Sequence, residues 1–156
     1  MRRIIWICGL LIVGLLAMQF RRPNYDLAPV NAAAMFDARV HPGSGIGNTL
    51  HQSCYSCHSA QDEIPWYGHV WPASQLMQND IRGARARLDF SNWSNLSPEM
   101  SRIRLLDACR AMRQSEMPLW YYRPMHPGSA PKPAEVDAFC AWAQSQPSGQ
   151  EVALLR

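Results

Sequence analysis

Five consecutive residues carry the clearest chemical pattern in this 156-residue chain. They are Cys54, Tyr55, Ser56, Cys57 and His58, in the order Cys-x-x-Cys-His. Two thiols at this spacing can each add across a vinyl group of haem to form a thioether, and the histidine that follows is then placed beneath the iron as proximal ligand. The motif therefore predicts one covalently attached haem c, with its iron bound by His58.

Two other kinds of site also use closely spaced cysteines. A structural zinc site needs two further ligands at similar spacing, and the sequence has no second Cys-x-x-Cys and no His-x-x-x-His. A thioredoxin-like redox pair needs a strand-helix-strand setting, and no strand pattern surrounds the motif. Haem attachment is therefore the interpretation that we favour.

A six-coordinate haem iron needs a second axial ligand, which is usually methionine or histidine. Met117 precedes Pro118 in a loop between two predicted helices, and the proline fixes the local chain direction. The other methionines of the domain that lie at helical core spacing are better explained as packing residues. His126, in the same long loop, is the alternative ligand and would give bis-histidine ligation. The loop position favours Met117 as the distal ligand.

Several aromatic and basic side chains in the loops could contact the edge or the propionates of a haem. For each tryptophan, ordinary core packing explains the residue equally well, and a single arginine is usually solvated. The candidates are Trp66, Tyr67, Trp71, Arg82 and Trp93. Arg85 and Arg87 are, like Arg82, basic residues that could neutralise the propionates.

The first 22 residues differ from the rest of the chain. Residues 4–20 contain no charged residue, and arginines flank them on both sides. A basic start followed by an apolar run is typical of an export signal, and 17 residues lie at the lower limit for a membrane span. No good cleavage site follows, so we expect residues 1–22 to form a signal anchor rather than a removed signal peptide. Together with the haem motif, this predicts a bacterial inner-membrane protein with its haem domain in the periplasm and the membrane as a partner.

Proline and glycine are frequent in residues 23–47, which predicts a linker with one short helical turn near 32–38. A domain follows over 48–147, and 148–156 form a C-terminal tail. Four of the 15 basic residues and none of the 12 acidic residues lie in the first 22, so the remainder is close to neutral. This composition gives no indication of nucleic-acid binding.

Helical periodicity and capping signals predict a small all-α domain with long loops after the N-terminal helix. Ser97, Pro98 and Glu99 form a strong helix start. Cys109 and Cys140 fall on the apolar faces of the last two helices, where they form either a disulfide or two buried thiols. The four predicted helices cover about 49–59, 72–88, 97–115 and 133–146.

The order of these features resembles that of the class I cytochromes c, with a helix, the Cys-x-x-Cys-His motif, further helices, a Met-Pro loop and a last helix. More specifically, the chain resembles the haem-binding domain family of membrane-anchored cytochromes. Glu116 stands where that family pattern has glycine. The matching stretches are 53–59, 65–67, 71–72, 80–85, 89–93, 117–118, 121–122 and 126–127.

The resemblance implies haem binding, and a six-coordinate haem implies one-electron transfer with unknown redox partner proteins. We expect an electron-transfer protein rather than an enzyme. Two alternatives are a peroxidase-like haem enzyme that uses Glu116 or His126 as its acid-base group, and a haem-based sensor or accessory subunit of a membrane complex.

Overall fold

A computed structural model describes residues 1–27, 29–61 and 63–147, and these residues contain helices and no strand. The predicted all-α class is confirmed for them, whereas the predicted tail at 148–156 lies outside the described residues. Short 3-10 helices at Ala32–Ala34, Trp66–His69, Phe90–Asn95 and Arg123–Met125 complete the described structure. The α-helices are α1 (Arg2–Met18), α2 (Phe36–Val40), α3 (Ser44–Ser53), α4 (Tyr55–His58), α5 (Ala73–Arg87), α6 (Pro98–Arg113) and α7 (Pro133–Gln144).

The N-terminal apolar run forms α1, which buries none of its residues. Its 17 residues extend over roughly 25 Å, which is less than the roughly 30 Å of hydrocarbon in a bilayer. None of the helices in the described ranges is both long enough and apolar enough to cross a membrane. This finding contradicts three predictions made from the sequence: the transmembrane anchor, the membrane as a partner, and the inner-membrane location with a periplasmic haem domain.

The capping residues of the later helices begin them where the sequence predicts. The Ser97 hydroxyl accepts a hydrogen bond from the amide of Met100 at 3.2 Å, and Pro98 occupies the first helical position of α6. At α7 the carboxylate of Glu135 accepts a 2.7 Å bond from the amide of Lys132. These contacts satisfy amides that a helix start otherwise leaves without partners.

The segment 23–47 packs onto the domain, although its composition predicts a linker. Tyr25 is buried, and its hydroxyl donates to the carbonyl oxygens of Gly68 (2.6 Å) and Ser74 (3.1 Å). Phe36 is fully buried, and its ring meets the rings of Phe90 and Trp93 edge to face at 5.1 and 4.7 Å. The apolar side chains of this segment therefore complete the core, which its many prolines and glycines conceal.

Helices α6 and α7 are joined by a disulfide between Cys109 and Cys140, whose Cα atoms lie 5.1 Å apart. Both cysteines are buried. Of the two alternatives that the sequence leaves open, the structure therefore has the bridge. The largest fully buried side chains of the core belong to Phe36, Leu50, Tyr55, Phe90, Leu105 and Phe139.

Candidate haem site

The Cys-x-x-Cys-His motif spans the break between α3 and α4. The sequence predicts one helix over 49–59, but Cys54 leaves helical geometry with φ −126° and separates the two helices. The carbonyl of Cys54 then accepts the amide of His58 at 3.0 Å, which closes the short turn of α4. This break brings both thiols and the imidazole to one cavity.

Tyr55, inside the motif, fixes the turn to the core. Its ring stacks on Phe90 at a centroid distance of 4.6 Å and on His51 at 3.8 Å. Its hydroxyl donates a 2.8 Å hydrogen bond to Asp37, whose carboxylate also lies 2.9 Å from Nε2 of His51. The first residue between the two cysteines is therefore a buried anchor, and segment 23–47 supplies the acceptor that holds it.

The imidazole of His58 is oriented by the end of α5. Nδ1 of His58 lies 2.8 Å from the carbonyl oxygen of Leu88. A carbonyl can only accept, so Nδ1 carries the proton and Nε2 keeps the lone pair that a metal requires. Burial lowers the pKa of His58 below its ordinary value, which also favours the neutral ring. This arrangement is the one that haem and metal-binding histidines need.

A cavity of about 220 Å³ joins the predicted attachment residues to the predicted distal ligand. Cys54, Cys57 and His58 line one side of it, and Met117 lines it as well. Burial, with a smaller contribution from Cys57, raises the pKa of the Cys54 thiol to about 12, so this group is protonated at neutral pH. Much of the remaining wall is apolar and comes from Ala84, Pro118 and Leu119.

Met117 is positioned by the way in which α6 ends. The amide of Glu116 donates to the carbonyl of Ala111 at 2.9 Å, and the amide of Ser115 donates to Met112 at 3.0 Å. These two bonds form a Schellman motif, with Ser115 in the left-handed conformation at φ 56°. The motif reverses the chain at once, so that the half-buried Met117 faces the cavity while Glu116 is exposed. A charged residue therefore fits at the position where the family pattern has glycine.

His126 lies on a second, adjoining cavity of about 380 Å³. Its Nε2 makes a short hydrogen bond with the hydroxyl of Tyr67, and its ring stacks on Tyr122 at 3.8 Å. Burial lowers the pKa of His126. Cys57 and Tyr122 line this cavity and the first one, so the two spaces meet beside the second cysteine.

Of the aromatic residues predicted to contact a haem, only one lines a cavity around the motif. Tyr67 lines the second cavity, whereas Trp66 beside it is 73% exposed. Trp71 bonds through its backbone amide to the side chain of Gln19 at 2.9 Å. Trp93 is buried in the core against Phe36. Arg82 is exposed, and neither it nor Trp66, Trp71 or Trp93 lines the three cavities around the motif.

Two residues of α5 that line the cavities are not among the site residues predicted from the sequence. Asp80 of α5 lines both cavities and accepts a 2.9 Å hydrogen bond from the hydroxyl of Tyr121. Gly83, one turn further along α5, lines the first cavity, and a Cβ atom built on it would meet nothing within 4 Å. Glycine inside a helix costs about 1 kcal/mol relative to alanine, and at this position the missing side chain leaves the cavity space beside α5 open.

The residues present fit a haem better than a metal ion bound by side chains alone. Across the parts of the chain that the structure describes, no group of three or more His, Cys, Asp or Glu residues is placed to hold a metal ion. Haem iron needs only axial ligands from the protein, and a macrocycle needs apolar walls with a few polar groups. The cavity beside His58 has both.

Comparison with known proteins agrees with this reading of the cavity. The family model described as "Haem-binding domain" matches residues 13–145, which is most of the chain. No curated protein and no solved structure gives a significant match. A family match over this length shows that the chain belongs to the haem-binding domain family.

Proposed function

We propose that this chain is a mono-haem cytochrome of the c type, in which Cys54 and Cys57 hold the haem covalently and His58 and Met117 are the axial ligands, and that it transfers single electrons. One observation supports this most strongly: both thiols, the imidazole and the thioether of Met117 line the same cavity of about 220 Å³. Family membership supports the haem itself.

The protein's own groups have definite tasks in this proposal. When a protonated thiol adds across a vinyl group, a sulfur–carbon bond forms and the thiol proton passes to the neighbouring vinyl carbon, so no oxidant or reductant is needed. The carbonyl of Leu88 holds the proton on Nδ1 of His58 and so keeps Nε2 directed to the ligand position. Bound haem supplies a one-electron couple between Fe(III) and Fe(II).

The distal position is better supplied by Met117 than by His126. Met117 shares a cavity with His58, whereas His126 lines the adjoining cavity and its Nε2 already bonds to Tyr67. A methionine ligand is neutral and raises the reduction potential relative to histidine. With both axial positions occupied, the protein can pass electrons without opening a substrate site.

Spectroscopy of the purified haem protein tests this ligand set. The wild type should be low-spin and should show the methionine-to-iron charge-transfer band. Met117→Ala should remove the band, and the matched variant His126→Ala should keep it. The assignment of Met117 fails if the band persists in Met117→Ala, or if His126→Ala alone changes the spin state.

A peroxidase-like activity is the second candidate, and one observation favours it. The hydrogen-bonded pair Tyr67 and His126 lines the larger cavity beside Cys57, where an acid-base group could act on a small substrate. Such an enzyme needs a displaceable distal ligand. A high-spin wild type that binds carbon monoxide readily and turns over peroxide would favour this candidate over electron transfer.

A further inference from the structure

A third cavity, of about 170 Å³, adjoins the first one on the side of the first cysteine. Cys54, His58, Arg87 and Met117 line both cavities, so a group bound beside His58 can extend directly into this space. Residues of α6 form much of its wall, and the apolar part of the lining includes Leu88, Ala108 and Met112.

Three guanidinium groups line this cavity, and two of them have no partner among the residues that the structure describes. Arg110 pairs with Asp107 at 3.5 Å. Arg87 and Arg104 make no hydrogen bond or ion pair with any residue that the structure describes. The acidic groups on the wall are Asp107, which is paired, and Glu116, which is exposed. Within the described part of the chain, the cavity therefore offers two unpaired positive charges beside an apolar part of its lining.

The other arginines near the motif are already engaged or lie elsewhere. Arg85 donates to the backbone carbonyls of Tyr25 (2.7 Å), Asp26 (3.0 Å) and Ser59 (2.5 Å), which fixes segment 23–47 to the end of the motif. Arg82 is exposed, as Arg87 is, but it lines none of the three cavities. Of the basic residues predicted from the sequence to meet a haem, only Arg87 is in place and uncommitted.

We propose that Arg87 of α5 and Arg104 of α6 bind the two propionate carboxylates of the haem. A haem carries two carboxylates, and this cavity carries two guanidinium groups without partners. Arginine suits a carboxylate because its planar fork can donate two parallel hydrogen bonds. This proposal rests on the proposed haem attachment, because it needs the macrocycle to lie against His58.

The pairing explains why the two unpaired charges lie on different helices. Arg87 ends α5 and Arg104 lies near the middle of α6, so a haem bound to both would link the two helices across the cavity. Both arginines are positioning residues, because they act on the carboxylates and not on the iron.

The experiment uses the full chain with haem bound and with ¹³C in the propionate carboxyl groups. The carboxyl shifts are followed against pH by NMR in Arg87→Gln, in Arg104→Gln and in the control Arg82→Gln, which removes an exposed charge from the same helix as Arg87. Removing a paired cation should raise the titration midpoint of one carboxylate by about one pH unit or more. Arg82→Gln should leave both midpoints unchanged, and the lysine variants of Arg87 and Arg104 should retain most of the wild-type behaviour.

Each other outcome is also decisive. If the glutamine variants carry no haem and the lysine variants do, the requirement for a cation is supported. Midpoints that stay unchanged in both glutamine variants overturn the proposal, and a shift in Tyr67→Phe instead would place the carboxylates in the second cavity. Loss of haem from the wild type on denaturation would overturn covalent attachment separately, because that result does not depend on either arginine.

Discussion

His58 and Leu88 are joined by a hydrogen bond of 2.8 Å between Nδ1 and the carbonyl oxygen. Leu88 directly follows the last residue of α5, so its carbonyl lies outside the helical ladder and is available to a side chain. The same helix lines the cavity through Asp80, Gly83 and Ala84. Helix α5 and the residue that follows it therefore orient His58, the proximal ligand in our proposal, and form a wall that a haem would contact.

Substitutions at Gly83 are expected to change the stability of the protein and its haem content in opposite directions. Gly83→Ala should stabilise the haem-free protein by about 0.5–1 kcal/mol, because alanine is the better helix former. The added methyl group enters the cavity space, so the fraction of chains that carry haem should fall, and Gly83→Leu should lower it further. Thermal unfolding and the haem-to-protein absorbance ratio measure the two effects.

Gly47 provides the matched control for this pair of effects. It lies within α3, and a Cβ atom there would meet Pro42 only at ordinary van der Waals distance, 3.9 Å. Gly47→Ala should therefore raise stability by a similar amount and leave haem content unchanged. Equal haem content in Gly83→Ala and Gly47→Ala would argue against close approach of the cofactor to α5.

Replacing Ser115 with glycine is expected to stabilise the protein. It occupies the left-handed position of the Schellman motif at φ 56°, where a side chain costs about 1 kcal/mol. Ser115→Gly should raise the free energy of unfolding by about that amount, and Ser115→Val should lower it. Because Met117 follows two residues later, only the valine variant should also weaken the methionine-to-iron band. Denaturant titration with absorption spectra tests both statements.

Asp37 should stabilise the fold through its hydrogen bond with Tyr55. Its carboxylate accepts the hydroxyl of a tyrosine that is 1% exposed, and removing an acceptor from a buried donor costs about 1–3 kcal/mol. Asp37→Ala should destabilise the protein by that amount. The same substitution made in a Tyr55→Phe background should cost clearly less, and equal costs in both backgrounds would contradict the assigned contact.

The disulfide between Cys109 and Cys140 should stabilise the fold but should not affect haem binding. It closes a separation of 31 residues, for which constraint of the unfolded chain gives about 3–4 kcal/mol. The double variant Cys109→Ser/Cys140→Ser should lose about this much in denaturant unfolding. Its haem absorption spectrum should match that of the wild type, because neither cysteine lines the three cavities around the motif.

His126 should make the haem-free protein less stable in acid. Burial holds its pKa in the folded state below its ordinary value of about 6.5. The unfolded chain therefore takes up the proton first, and lowering the pH from about 6.5 through the folded-state pKa favours unfolding. His126→Gln should lose less stability than the wild type over this window. An identical pH dependence of the two proteins would mean that His126 does not contribute.

The sequence predicts the starts of the later helices well because those starts depend on local signals. Ser97 and Pro98 begin α6 as their types require, and the prediction of haem attachment likewise rests on the local spacing of Cys54, Cys57 and His58. Contacts between residues that lie far apart in the chain cannot be predicted from such local signals. Phe36 lies in a stretch that resembles a linker, and only contact with Phe90 reveals it as core.

Two site features are hidden for the same reason. Leu88 acts through its backbone carbonyl, which every residue has, so its sequence identity carries no information. Arg104 resembles any solvated arginine of a helix until the fold places it in one cavity with Arg87. Trp93 shows the opposite case, because its type suggests a haem contact and its position among Phe36 and Phe90 puts it in the core. Gly83 differs from these residues, since glycine inside an otherwise helical pattern is itself a signal.

The most direct measurement of the central claim is the mass of the unfolded polypeptide. The full chain, produced in cells able to attach haem and then denatured and extracted with acidic organic solvent, should retain the mass of one haem. Cys54→Ala/Cys57→Ala should lose it, and Cys109→Ser/Cys140→Ser should keep it. A wild-type chain that releases all of its haem under these conditions would contradict covalent attachment at Cys54 and Cys57.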